Sequence, residues 1–233
     1  MAEVIAFTAG KGGMGVTALC AAVAWDLAGS GKKVLCIDCD DGRGDLDLYL
    51  GLEGSPELTY GEVCRGHYPL DRASSCLGHG HFRFLAAPIR AESITQEEFA
   101  GLLRQARREF DYILLDDPKF PLADRWVLVT RPDPAAIRGA RRRADSLEVG
   151  GASNVRLVVN GIDRKQMAAL DLTVDDVMDQ VGLGLLGIVP LDPEVTLSCA
   201  GGQPLRGKKG AGAAAERIAK RIQGIQTAVP SRL

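Results

Sequence analysis

Short apolar runs alternate along the chain with longer stretches whose apolar positions recur at helical spacing. Val4-Ile5-Ala6-Phe7-Thr8 reads as a strand, followed by a glycine-rich loop and an apolar helix over 18–27. Further strands are expected at 33–38, 82–87, 112–116, 126–130, 155–160 and 185–189, and helices at 96–109, 135–147 and 211–225. The stretch before residue 82 is irregular and rich in Gly, Pro and His. Strands alternating with helices of this length imply an α/β three-layer sandwich, with a mainly parallel sheet and helices on both faces. Ligands of such sheets bind beyond the carboxyl ends of the strands. The polar residues from Lys11 to Thr17, then Asp38 and Asp40, Asp116 and Asn160, all fall at such ends, so one site is expected there.

The 233 residues are 46% hydrophobic and 25% charged, the balance of an ordinary globular chain and enough for one core, so a single domain over 1–233 is expected. A net charge of -2 gives no whole-protein reason for a polyanionic partner. No basic, then apolar, leader opens the sequence and no run approaches the roughly 18 apolar residues of a membrane span, which points to the cytoplasm. In a reducing compartment the six cysteines read as buried small hydrophobes. Cys36-Ile37-Asp38-Cys39 has a metal-ligand spacing, but strand alternation sends its two sulfurs to opposite faces. A loop site from Cys64, His67, Cys76, His79 and His81 lacks a second CxxC.

The most informative segment is Gly10-Lys11-Gly12-Gly13-Met14-Gly15-Val16-Thr17, which follows a strand and opens a helix. Its glycines allow main-chain N–H groups to surround an anion, and the helix start directs its positive end to the same place. Thr17 is placed to hold Mg²⁺. With these residues the chain resembles the MinD/ParA family of deviant Walker A P-loop ATPases, whose loop reads KGGxGK[ST]. The resemblance implies ATP or ADP with Mg²⁺ as ligands and a nucleotide-dependent homodimer, in which Lys11 reaches the partner's nucleotide. Val16 stands where the family has a second lysine. A valine neither donates to phosphate oxygens nor offsets their charge, so affinity and hydrolysis are both expected to suffer. Arg43 and Lys119 are candidates to replace that charge.

By the same resemblance Asp40 orients the attacking water, Asp38 supports the Mg²⁺ shell, and Asp116, ending a Walker B strand over 112–116, coordinates a Mg²⁺-bound water. Gly44-Asp45-Leu46-Asp47-Leu48 is similar to the family's N-L-D-L segment. Turn or cap roles are the competing reading for these carboxylates. Only residues 119–125 separate Pro118 from Trp126, too few for the helix that follows Walker B in the family, and this points to a damaged switch. Asn160 matches the adenine-recognising position, and Leu186-Gly187-Ile188-Val189-Pro190-Leu191-Asp192 the adjacent segment, with Pro190 at the base. The resemblance covers residues 3 to 225 and implies a switch that positions cell-division or related machinery, with weak hydrolysis. A non-hydrolysing scaffold and an iron–sulfur carrier remain as alternatives.

Two surfaces bear on partners. Arg138, Arg141, Arg142 and Arg143 share one predicted helix, with the first three on one face, a pattern that suits DNA phosphates, but acidic neighbours such as Asp145 and Glu148 favour a solvated face. The stripe Ile218, Ile222 and Ile225 is amphipathic, but it belongs to the last helix, where packing on the sheet outweighs a membrane role.

Overall fold

The computed structural model describes residues 2–40, 44–52, 56–78, 80–88 and 93–228. Its strands are β1 (Glu3–Ala9), β2 (Val34–Asp38), β3 (Ser75–Leu77), β4 (Phe82–Leu85), β5 (Tyr112–Asp116), β6 (Arg125–Thr130), β7 (Val155–Ile162) and β8 (Leu185–Pro190). They form one sheet in the order β3-β4-β2-β5-β1-β6-β7-β8. Every pairing is parallel except β3 with β4, so the mainly parallel sheet is confirmed.

The longer helices are α1 (Val16–Gly29), α5 (Gln96–Ala106), α6 (Pro134–Val149) and α10 (Gly210–Ile222). Six short ones accompany them: α2 (Leu46–Leu50), α3 (Tyr60–Cys64), α4 (Leu70–Ala73), α7 (Arg164–Ala169), α8 (Val174–Val181) and α9 (Glu194–Ala200). The segment before residue 82, expected to be irregular, thus contains α2, α3, α4 and β3. These pieces are three to five residues long, too short to show a period.

Strand alternation divides the core. Ile5, Phe7, Cys36, Leu114 and Val129 face α1, α2 and α10 on one side. Val4, Ala6, Ile37, Ile113 and Leu115 face α3, α4 and α5 on the other. Further along that second face, Leu128, Leu157, Val159 and Ile188 meet α6, α7 and α8. Ile218 and Ile222 of α10 are buried against the sheet, and Ile225 lies past the helix end. No helix among the described residues is long and apolar enough to cross a membrane.

The chain after β1 runs so close to α6 that a Cβ at Gly10 would lie 2.0 Å from the Gly139 carbonyl carbon, whereas one at Gly12 would meet nothing within 4 Å. Gly10→Ala should therefore force the loop and helix apart and cost roughly 1–3 kcal/mol, against a few tenths for Gly12→Ala, in denaturant unfolding without ligand.

Between α1 and α10, half-buried Asp26 faces Glu216, Arg206 and Lys220. Burial and then the Glu216 charge push its carboxyl up to about 7, against the pull of Arg206 and Lys220. The folded state therefore prefers Asp26 protonated, and the stability this contributes is complete below about pH 4 and lost as pH rises through about 7. Asp26→Asn should flatten the fall in thermal stability across that window, by at most one proton in slope, and make the protein more stable than wild type at pH 8.

Candidate functional site

At the carboxyl ends of β1, β2 and β5 the structure opens a cleft of about 490 Å³. It is lined by residues 9–18 together with Asp40, Asp45, Tyr49, Asp116 and Asp117. The glycine-rich loop therefore forms a wall of the cleft along its entire length: Gly10, Lys11, Gly12, Gly13, Met14, Gly15, Val16 and Thr17 all border it.

Gly13 and Gly15 have φ of 78° and 85°, the left-handed region that favours glycine. Gly15 is the residue before α1, and no side chain caps that helix. Its first N–H groups thus lack the partner that a Ser, Thr or Asp would give, and they sit at the positive end of the helix at the cleft wall. Such an end suits an anion.

Below the loop, β2 and β5 place Asp38 and Asp116 side by side in register. Asp116 is 2% exposed; its carboxylate accepts from the Thr17 hydroxyl, while Oδ1 is buried without a hydrogen-bond partner among the described residues. Burial, then the charges of Asp38, Asp117 and Asp40, raises its carboxyl to about 8, and the Thr17 bond only partly opposes this. A buried carboxylate with an orphaned oxygen beside a threonine hydroxyl fits Mg²⁺, which takes one or two protein oxygens and fills its shell with water and phosphate. No three His, Cys, Asp or Glu side chains among the described residues gather as a fuller metal cage.

Asp38 sits behind the cleft and is not among its lining residues. Its Oδ1 accepts from Asp40 N at 3.0 Å and its Oδ2 from Leu46 N at 3.2 Å. A Cβ at Gly44 would come 2.6 Å from that Oδ2, so glycine there lets the chain fold tightly over the carboxylate. Burial raises Asp38 to about 6 despite those two N–H bonds. Its two oxygens thus hold the backbone at Asp40 and at Leu46, next to the cleft residues Asp40 and Asp45.

Lys11 is partly exposed, with Nζ 3.9 Å from Asp133 Oδ1. Asp133 also caps α6 by accepting from Ala136 N at 2.9 Å. Among the described lining residues Lys11 is the single cation, against Asp40, Asp45, Asp116 and Asp117. Of the two candidate replacements for the missing lysine, Arg43 lies outside the described residues. Lys119 is displaced from the cleft: it lines a separate narrow cavity with Cys39, Tyr60, Phe99 and Phe120, because the Phe120 ring packs on Phe99 and draws the chain after β5 to that side.

Asn160 touches the loop from the other flank. Its Nδ2 donates to Met14 O at 2.8 Å, its Oδ1 accepts from Gly161 N, and it lines a narrow apolar cavity with Gly15, Ala18, Leu19, Val189 and Val195. Pro190 ends β8 just past Val189, paired with Ile162, and lines neither space. Between Asp116 and β6 no helix forms, as the short spacing requires; Asp117 turns the chain at φ 48°.

Tyr49 and Asp117 are cleft residues that sequence reasoning did not single out. Asp117 is simply the residue after the expected strand 112–116, and Tyr49 carried no signal beyond its place after the 44–48 segment. Cys36 and Cys39 do not converge: Cys36 lies 3.7 Å from Cys20 in the core on the α1 side, and Cys39 packs on the opposite face. Cys76 is exposed, and His79 lies outside the described residues.

Residues 5–205 match the family of CobQ/CobB/MinD/ParA nucleotide binding domains. The septum site-determining protein MinD of Synechocystis sp. is 32% identical, over 96% of this chain and 90% of that protein. A chain of the MinC:MinD cell division protein complex from Aquifex aeolicus superposes with a TM-score of 0.90 at 30% identity, covering 98% of each chain. The septum site-determining protein MinD complexed with Mg-ADP from Pyrococcus horikoshii shares the fold at 21% identity, with a TM-score of 0.79 over 95% of this chain and 96% of that one. The chain belongs to the CobQ/CobB/MinD/ParA family, and along nearly its full length it is similar to septum site-determining MinD proteins.

Proposed function

We propose that this protein binds adenine nucleotide with Mg²⁺ in the cleft at the start of α1 and works as a MinD-type switch in placing division machinery. The observation that carries the reading is the pairing of an uncapped helix start with the orphaned Asp116 oxygen beside Thr17. One feature invites phosphate and the other invites a cation, and a magnesium nucleotide supplies both.

The loop amides and Lys11 receive the phosphates. Thr17 and Asp116 hold Mg²⁺, which when bound neutralises phosphate charge. Asp40 is in position to orient a water, and Asp38 fixes the loop that presents it. Asn160, with Val189 beside it, offers an amide edge and apolar contacts to a base, and Pro190 is one residue further along the same strand. Among the described residues Lys11 is held by a long, partly exposed pair with Asp133, which is weak enough to exchange for a phosphate on a second copy of the chain. This supports a nucleotide-dependent homodimer.

A second reading, a scaffold that binds nucleotide without turning it over, is favoured by Val16 and by the helix-free segment after Asp116. A loop with one cation where relatives of this motif have two stabilises developing phosphate charge less.

Titration calorimetry should show ATP and ADP binding in the presence of Mg²⁺ and a loss of at least tenfold with EDTA or in Thr17→Ala. No uptake at millimolar nucleotide with Mg²⁺ present would sink the proposal. Val16→Lys should tighten ATP binding by about tenfold or more, the effect of one added charge at close range. In a single-turnover assay, phosphate release no faster than in Thr17→Ala would select the scaffold over the slow ATPase.

A further inference from the structure

Arg143 belongs to the arginine-rich helix α6, but it does not point outward with Arg138 and Arg142, which are exposed. Its Nε donates to Thr8 Oγ1 at 3.2 Å, and its guanidinium lies 6.0 Å from the centre of the Trp126 ring. Thr8 is fully buried and donates in turn to Asp117 Oδ1 at 2.7 Å. A hydroxyl has one hydrogen. Because Thr8 gives it to Asp117 and takes the Arg143 N–H on a lone pair, the polarity runs one way, from guanidinium to carboxylate. Asp117 lines the phosphate cleft in a left-handed turn, pinned by its own N–H to Phe7 O at 2.8 Å.

We propose that Arg143 is a positioning residue for the phosphate cleft: acting through Thr8, it fixes the Asp117 carboxylate and offsets its charge. It thereby removes, from behind the cleft, part of the negative potential that Val16 leaves uncompensated within it. The proposal rests on the nucleotide reading above. Lys11 faces four carboxylates among the described lining residues, so an uncompensated Asp117 would repel an incoming phosphate. The linking hydroxyl is fully buried, where water screens the interaction less than it would at the surface. If Arg143 only clamped α6 to β1 and β6, through Thr8 and Trp126, its loss would lower stability and leave affinity independent of Asp117.

The test is a double-mutant cycle read by calorimetry with Mg²⁺ and ATP, with thermal unfolding measured in parallel without nucleotide. Arg143→Met should weaken ATP binding by about tenfold, and Arg143→Lys should recover part of the loss. Asp117→Asn should bind at least as tightly as wild type, and adding Arg143→Met to it should change nothing further. An equal loss in both backgrounds, or no loss in either, overturns the proposal whatever happens to the melting temperature. If Arg143→Met does not fold, Thr8→Val against Thr8→Ser decides: weaker binding for valine alone supports the relay, and equal binding refutes it. Failure of wild type to take up nucleotide overturns the underlying reading and this one with it. Uptake by wild type with unaltered binding in Arg143→Met overturns this one alone.

Discussion

Asp116 sits at the end of β5, between β1 and β2, walled from water and facing other carboxylates with one of its oxygens unsatisfied. Without a cation the folded chain tolerates it by holding its proton far above the usual carboxylate range. Much of the surrounding architecture follows from this one strained position. Thr17 at the start of α1 gives it a hydroxyl. Asp38, alongside it in register, spends both oxygens on the backbone of the following loop. The glycine-rich turn stays open above it, with no side-chain cap to compete for an incoming anion. On the proposed reading, ligand and fold are coupled: a magnesium nucleotide would relieve the same electrostatic tension that the raised carboxyl relieves by keeping its proton.

The charge arrangement around that position departs from the KGGxGK[ST] loop pattern that the chain otherwise resembles. Val16 packs against the apolar core beside α1 where a cation belongs. Lys119 is drawn to the opposite side of the sheet by the aromatic contacts of Phe120. Positive charge instead approaches from α6 through Arg143, which reaches Thr8 of β1, while the same helix flanks the loop, its capping Asp133 pairing with Lys11 and Gly139 lying against Gly10. A helix whose outer face looks like a generic basic surface is thus tied to the phosphate cleft by its inner face.

The sheet was legible because the central strands are uninterrupted apolar runs ending in a polar residue, as in 112–116, which the structure reproduces to the residue. The phosphate loop was legible because its glycines, its threonine and its place between strand and helix are local properties. What escaped was set by tertiary contact. The short helices before β3 and after β7 span only four to eight residues, so capping and packing define them more than period does. Asp38 and Asp116 look alike in sequence, but the packing of Gly44 puts the first behind the cleft while the second lines it. Arg143 reads as one more surface arginine, and only the register of α6 against β1 reveals its inward partner.

The sheet ends on one side at β3, a strand of three residues that runs against all the others. So short a border exposes few unpaired backbone groups, and its reversed direction breaks the parallel ladder that a further copy would have to continue. Lateral growth into fibres by strand addition is blocked on that flank. On that flank, then, copies of this molecule that meet do so through side chains, and the six-residue β8 at the opposite border is the edge with backbone groups to offer.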